Sequence, residues 1–435
     1  MKTDILNDKP SKVFGAYLLP SICSAVFVSV YVITDTVMVG HGVGSGGLTA
    51  LNILLPLFSV YFAFGYLFGT GGSVLMSVAA GAGDRRRADG IFTLSLIMLF
   101  VTGAVLTAAG MIFFDPLVYA MGADDESYPL VYEYGRILVP SAFVYMLSPF
   151  MQSFVRNDGA PSRAMAGSAV GSLLNVFLDY IFIFPMGMGM TGAITATVIG
   201  NITNILITSS HFLSKKNNIH INMKAVDAGA VPKILSSGAA AFFGEFANAA
   251  AVLIYNVTIL RYLGSEGIVI YSVITNTLIV VNSVLNGVSN AAQPIISYNV
   301  GAGRRERGES VYKTGLITAI LFAAVMYVFI FIYAKYCIYA FVPADEAPLA
   351  NGIPALRIYF SGCVFQAVSL FTAAYFQAAV YPARALTVGL MRGLFVCAAM
   401  VLLLPMIFGG EAVWFAAPVT EIITAVTAVL LKRKI

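Results

Sequence analysis

Two acids stand alone inside apolar stretches, Asp35 in AVFVSVYVITDTVMVG and Asp179 in AVGSLLNVFLDYIFIFP. A carboxylate in hydrocarbon costs several kcal/mol unless it is protonated or paired. The chemistry open to these two is therefore the exchange of a proton or a hard cation. Asn175 lies one helical turn before Asp179, so the two share a helix face and can converge on an ion if that face turns inward. The plain alternative, hydrogen bonding between neighbouring helices, stays open at this stage. Little else in the chain suggests chemistry. His41, His211 and His220 are far apart in sequence, and Cys23, Cys337, Cys363 and Cys397 fall singly in apolar runs without metal-ligand spacing. The cysteines read as small buried hydrophobes, and neither an enzyme nor a disulfide framework is expected.

The elements that must position these residues are membrane helices. Of 435 residues, 59% are hydrophobic and 11% charged, against about 25% charged in a soluble domain. The opening MKTDILNDKPSK runs straight into the first apolar segment with no cleavage pattern, so insertion is expected from the first helix itself. A span needs about 20 mostly apolar residues, and Gly, Pro and charge divide the chain into twelve pieces. These are 13–38, 47–80, 91–113, 128–153, 163–184, 190–213, 232–262, 267–298, 310–341, 350–378, 385–408 and 412–431.

Lys and Arg set the orientation, because positive loops stay in the cytoplasm. Seven alternate regions hold all but Arg136, Arg261, Lys335 and Arg357: the tail with Lys2, Lys9 and Lys12; Arg85 to Arg87; Arg156 with Arg163; Lys215 through Lys233; Arg304 through Lys313; Arg384 with Arg392; and Lys432 to Lys434. The opposite loops carry Asp124, Asp125, Glu126, Asp345 and Glu346. Both termini are thus expected inside the cell, in a multi-pass protein of the inner membrane. The net charge of +4 reads as topology and contact with anionic lipid, not a nucleic-acid footprint.

Sliding the chain by 220 or 221 residues superposes GAGDRRR from Gly81 on GAGRRER from Gly301, Arg136 on Arg357, and PSRA from Pro161 on PARA from Pro382. An offset spanning an even number of helices makes the repeat parallel, related by a pseudo-twofold along the membrane normal. The expected architecture is all-α, twelve transmembrane helices in two six-helix lobes. Residues 1–213 form the first lobe, the polar stretch 214–230 a cytoplasmic linker, and 231–435 the second lobe. Asp35 falls opposite Tyr255 or Asn256, and Asp179 opposite Ala399 or Met400, so neither acid has a carboxylate counterpart and the ion chemistry is expected in the first half.

VITDTVMVG in the first helix, GAGDRRRADG after the second and NVFLDYIFIFPMGMGMTGAITAT across the fifth and sixth, in this order and spacing, resemble the multidrug and toxic compound extrusion (MATE) transporters over essentially the whole chain. The DinF-like prokaryotic branch is the nearer match. The resemblance implies lobes around a V-shaped cleft and export of bulky organic cations, driven by inward flow of sodium ions or protons, with no cofactor beyond that ion. It places the coupling-ion site on Asp35, Asn175, Asp179 and Thr197, all oxygen ligands suited to a hard cation. As residues on their own, Asn175 and Thr197 read equally as glue between helices.

Other branches place a cation in the second lobe, on a Glu of the seventh helix and an Asp of the tenth. Glu245 in AAAFFGEFANAAAV matches the first, but the tenth segment has only Gln366 as its nearest polar residue. Glu245 is open to substrate, proton or structural roles. Tyr31, Met151 and Met186 are further candidates for the cleft, since Met and aromatic faces suit flat cations. Pro20 weakens the first helix, which the resemblance suggests bends there, a static kink being the alternative. Arg136 and Arg357 are expected to snorkel, and the GAG turns to cap helices with left-handed Gly. The protein is expected to act as a monomer, with small organic cations and lipids as partners. A flippase of lipid-linked substrates in the same superfamily is the alternative, which the scarcity of intramembrane basic residues argues against.

Overall fold

The computed structural model describes residues 4–342 and 348–434; Lys2, Asp345 and Glu346, used above for orientation, lie outside the described residues. Helices with no strand make up the described chain, as hydrocarbon demands, because only a helix or a closed barrel satisfies every backbone polar group there. The first six spans are α1 (Pro10–Gly42), α2 (Ser45–Gly81), α3 (Arg85–Ile112), α4 (Tyr128–Leu138 and Ala142–Asn157, bent by 53°), α5 (Pro161–Ile183) and α6 (Gly189–Ser209).

Val231–Gly301 follows as one helical run of 71 residues. Straight, it would be about 105 Å long, far beyond a bilayer core. Gly264, with φ 65° and ψ −157°, breaks it into α7 (231–263) and α8 (265–301), inside the gap expected between 262 and 267. Then come α9 (Arg305–Tyr339), α10 (Leu349–Phe360 and Cys363–Ala378), α11 and α12 (Ala416–Arg433). Span α11 runs from Pro382–Leu390 into Val396–Phe408 through a π-helical turn at Met391–Phe395. Gly83 (φ 84°) and Gly303 (φ 73°) occupy the left-handed region in the two GAG turns, the caps expected there.

Both termini reach the same end of the bundle, where Arg304 Nη1 donates to Leu6 O (2.7 Å) and Lys432 pairs with Glu309 (2.7 Å). The duplication is visible in how this end closes. A Cβ on Gly81 would lie 2.1 Å from Tyr298 O, and one on Gly301 would lie 2.0 Å from Val78 O, so α2 and α8 cross backbone on backbone at positions related by the repeat. Small residues permit such approach in membranes, where van der Waals packing rather than the hydrophobic effect joins helices.

Two apolar cores result, and they trade helix ends. Val13, Phe14 and Tyr17 of α1 pack into the core built by α7–α12, while Ile234 of α7 packs into the core of α2–α6. The polar segments follow the same exchange. The N-terminal tail bonds to Arg304, which precedes α9, and to Arg307 within it, and the linker bonds to α3, with Asp89 accepting from His220 N (2.9 Å) and Thr93 Oγ1 from Asn222 N (2.9 Å). Arg136 donates to Thr191 Oγ1, and Arg357 donates to Phe331 O and lies over the Phe331 ring; each anchors neighbouring helices.

Candidate functional site

In the first lobe, α5 and α6 cross through Gly171 and Gly200, where an added Cβ would lie 2.6 and 2.8 Å from the opposing carbonyl oxygen. That closeness brings Asn175, one turn beyond Gly171, against Thr197, and Asn175 Nδ2 donates to Thr197 Oγ1 (3.3 Å). The Thr197 hydroxyl itself donates to Ala193 O (3.1 Å). Committing its Nδ2 leaves the Asn175 Oδ1 pointing away without a donor. Asp179, fully buried one turn further along α5, stands near Asp35 of α1.

The oxygens of this cluster are conspicuous for lacking donors. Asp35 Oδ1, Asp179 Oδ1 and Oδ2 and Asn175 Oδ1 are all buried with no hydrogen-bond partner among the described residues. Buried polar groups are almost always satisfied, and two adjoining carboxyl groups cannot both stay ionised without a cation or proton between them. Asn175 and Thr197 touch, with Asp179 one turn along α5 and Asp35 near it, and the oxygens left without donors are of the kind a hard monovalent cation or a shared proton takes. The hydroxyls of Tyr61 and Tyr145 in the first lobe are likewise buried without partners. These tyrosines were not legible in sequence, because they come from α2 and α4 and nothing in their spacing marks them off from packing aromatics.

A cavity of about 790 Å³ lies between the lobes beside this cluster. Asn175, Thr197 and Tyr31 open on it, whereas Asp35 and Asp179 stand behind that wall. Its first-lobe side is mostly hydroxyls and amides, such as the Ser24–Ser168 pair (2.7 Å) and Gln152. On the second-lobe side Glu245 faces the cavity without an ion pair among the described residues. Gln366 also lines it, with its amide donating to Asn282 Oδ1 (2.8 Å). The cleft-side placement expected of Met151 and Met186 is corrected: Met151 is 4% exposed within the first-lobe core, and Met186 is 58% exposed just beyond α5. Helix α1 runs unbroken through Pro20.

Two basic groups that the sequence left with the loops also reach the cavity. Arg156, 8% exposed near the end of α4, and Arg392 in the π-helical turn of α11 both line it. Arg392 Nε donates to Glu421 Oε1 (2.6 Å), and Ser369 Oγ donates to Glu421 Oε2 (2.7 Å). Sequence alone grouped these arginines with the loop charges, since Arg156 ends α4 just before a loop and Arg392 follows Arg384 along one segment, and only the fold shows each turning inward. No cluster of three or more His, Cys, Asp and Glu suited to a metal occurs among the described residues.

The MatE family model matches residues 20–181 and 240–404. The chain is 22% identical over 426 residues to the multidrug export protein MepA of Staphylococcus aureus (strain MRSA252), covering 97% of this chain and 94% of that protein. Among solved structures, a multidrug resistance MATE family transporter of the MOP superfamily in an outward-facing conformation superposes with a TM-score of 0.93 at 23% identity, covering 100% of this chain and 98% of the other. A MOP superfamily transporter from Pyrococcus furiosus Vc1, described as having a binding pocket of reverse polarity, superposes at 0.92 and 23% identity over 100% and 98% of the two chains. The architecture expected above, twelve helices in two lobes, is the one these proteins share with it.

Proposed function

The chain belongs to the MatE family, and from that premise we propose that it is a secondary transporter that exports organic cations and drugs in exchange for sodium ions or protons. It is not an enzyme. The curated relative is a multidrug exporter, which supports efflux, and the cavity of about 790 Å³ is large enough for drug-sized solutes. The donor-poor oxygens of Asp35, Asn175 and Asp179, beside Thr197 and next to that cavity, carry the coupling proposal.

In this mechanism a proton or sodium ion occupies the carboxyl pair and removes its demand for a counter-charge, and a cationic solute in the cavity is released. Emptied of the ion, the pair attracts the next cation, so the two occupants exclude each other. One charge crossing 100 mV is worth about 2.3 kcal/mol, enough for roughly fiftyfold accumulation per ion. Alternating access follows if the lobes rock about the α2–α8 crossing, which shuts the terminus-bearing end here; we assign that end to the cytoplasm and a hinge to Pro20. Both walls of the cavity come from one chain, so a monomer suffices.

Proteoliposomes loaded with dye and given a sodium gradient or a pH gradient separately test this reading. Wild-type protein is expected to move an ethidium-like cation under one of them, and Asp179→Asn to abolish that movement at equal incorporation. Undiminished transport by Asp179→Asn would reject the assigned role. A lipid flippase is the second reading, favoured by Arg156 and Arg392 on the cavity wall; turnover of a lipid-linked substrate without dye movement would establish it instead.

A further inference from the structure

Beyond the two acids, the repeat makes visible a further departure of the second lobe from the first. At an offset of 221, Gly171 and Gly200 correspond to Arg392 and Glu421, and Ser148 corresponds to Ser369. Where the first lobe crosses α5 over α6 through two glycines, the second lobe sets a guanidinium and a carboxylate between α11 and α12. Ser148 accepts from Asn204 in the first lobe, while Ser369 donates to Glu421 in the second. The π-helical turn at Met391–Phe395 adds a residue to the local turn at the position of Arg392.

The pair is not a closed clasp. Glu421 is satisfied on both oxygens, whereas Arg392 donates only from Nε among the described residues and its side chain is 24% exposed on the cavity. Two further hydroxyls on the same wall, Tyr255 at 2% exposure and Thr420 at 3%, are buried without partners. Tyr255 stacks on Tyr271 (5.0 Å between centroids), which supplies a flat apolar floor. The wall thus offers the unused nitrogens of an ion-paired guanidinium beside two unpartnered hydroxyls, donors that an anionic group can take up.

We propose that the second-lobe wall of the cavity is a carboxylate-binding subsite, in which Arg392, held by Glu421, presents its unused nitrogens with the Tyr255 and Thr420 hydroxyls to the anionic end of an amphoteric solute. The cationic end of that solute lies toward Glu245 on α7. This rests on the export reading above and narrows its substrate class.

The test is equilibrium binding of two dyes to the purified full chain in lipid nanodiscs, followed by fluorescence polarisation. The probes are rhodamine B, which carries a free carboxylate, and its ethyl ester, which does not. Wild-type protein is expected to bind both. The double variant R392Q/E421Q removes both charges at once, so no unpaired charge is left buried, and is expected to bind the free acid about tenfold more weakly while the ester changes by less than about threefold. Y255F, which removes only an unpartnered hydroxyl, is expected to weaken the free acid about threefold or more and spare the ester, and it keeps the test decisive should the double variant fail to fold. Equal weakening of both dyes, unchanged binding of the acid, or a wild-type protein that binds the ester alone each overturns the subsite and leaves cation export standing. A wild-type protein that binds neither dye overturns the export reading itself.

Discussion

Gly301→Ala offers a direct test of how the terminus-bearing end closes. The added methyl would sit 2.0 Å from the Val78 carbonyl oxygen and 2.7 Å from its carbon, whereas an ordinary carbon-to-oxygen contact is about 3.3 Å or longer. Both atoms belong to the backbone of α2, so no rotamer change relieves the clash, and α2 and α8 must part by more than 1 Å. Overpacking of this kind costs about 1–3 kcal/mol, or roughly 5- to 150-fold in an equilibrium constant. The cost falls only on the state in which the two helices touch, so the population should shift toward one open at this end. Spin labels at Arg86→Cys and Glu306→Cys, on a background lacking the four native cysteines, would read the separation by double electron–electron resonance. A distance distribution for Gly301→Ala that matches the parent, in protein of unchanged thermal midpoint, would refute the reasoning. Gly81→Ala meets Tyr298 O at 2.1 Å and should act in the same direction, less than additively because the two contacts share one crossing.

Two shorter predictions accompany it. Pro20→Ala restores a backbone donor toward Ala16 inside α1; the thermal midpoint should rise and dye transport should fall several-fold, and unaltered transport would make Pro20 a static feature. Asp158→Ala removes the acceptor of His211 Nε2 (2.7 Å), Asn218 N (2.9 Å) and Asn218 Nδ2 (3.2 Å). It should cost about 1–3 kcal/mol and speed hydrogen exchange in residues 214–222, so protection equal to wild type in that segment would rule out a role in docking the linker.

The fold was legible in sequence wherever one physical requirement dominated. Bilayer thickness and alternating charge located the spans, and even the α7–α8 boundary fell at Gly264, because a run of that length must break. Asp35 and Asp179 stood out through the cost of bare carboxylates, whereas the assignment of an ion site to them with Asn175 and Thr197 rested on the family resemblance. What stayed hidden depends on which way a helix face turns. Arg392 looked like a loop charge until α11 rotated it toward Glu421, 29 residues away. Met151 and Met186 were equally ambiguous, since an apolar, flexible side chain suits a core, a cavity or a lipid face alike.

Residues 4–8 are joined to the first lobe by the peptide chain and to the second by the donors of Arg304 and Arg307, so the polypeptide crosses the seam between lobes here as well as in the 214–230 segment. A fusion partner placed ahead of Asp4 would load this contact between the lobes. Affinity tags and imaging fiducials belong instead behind α12, where Arg384 grips Leu431 O (3.2 Å) and both ends of the bond lie in the second lobe.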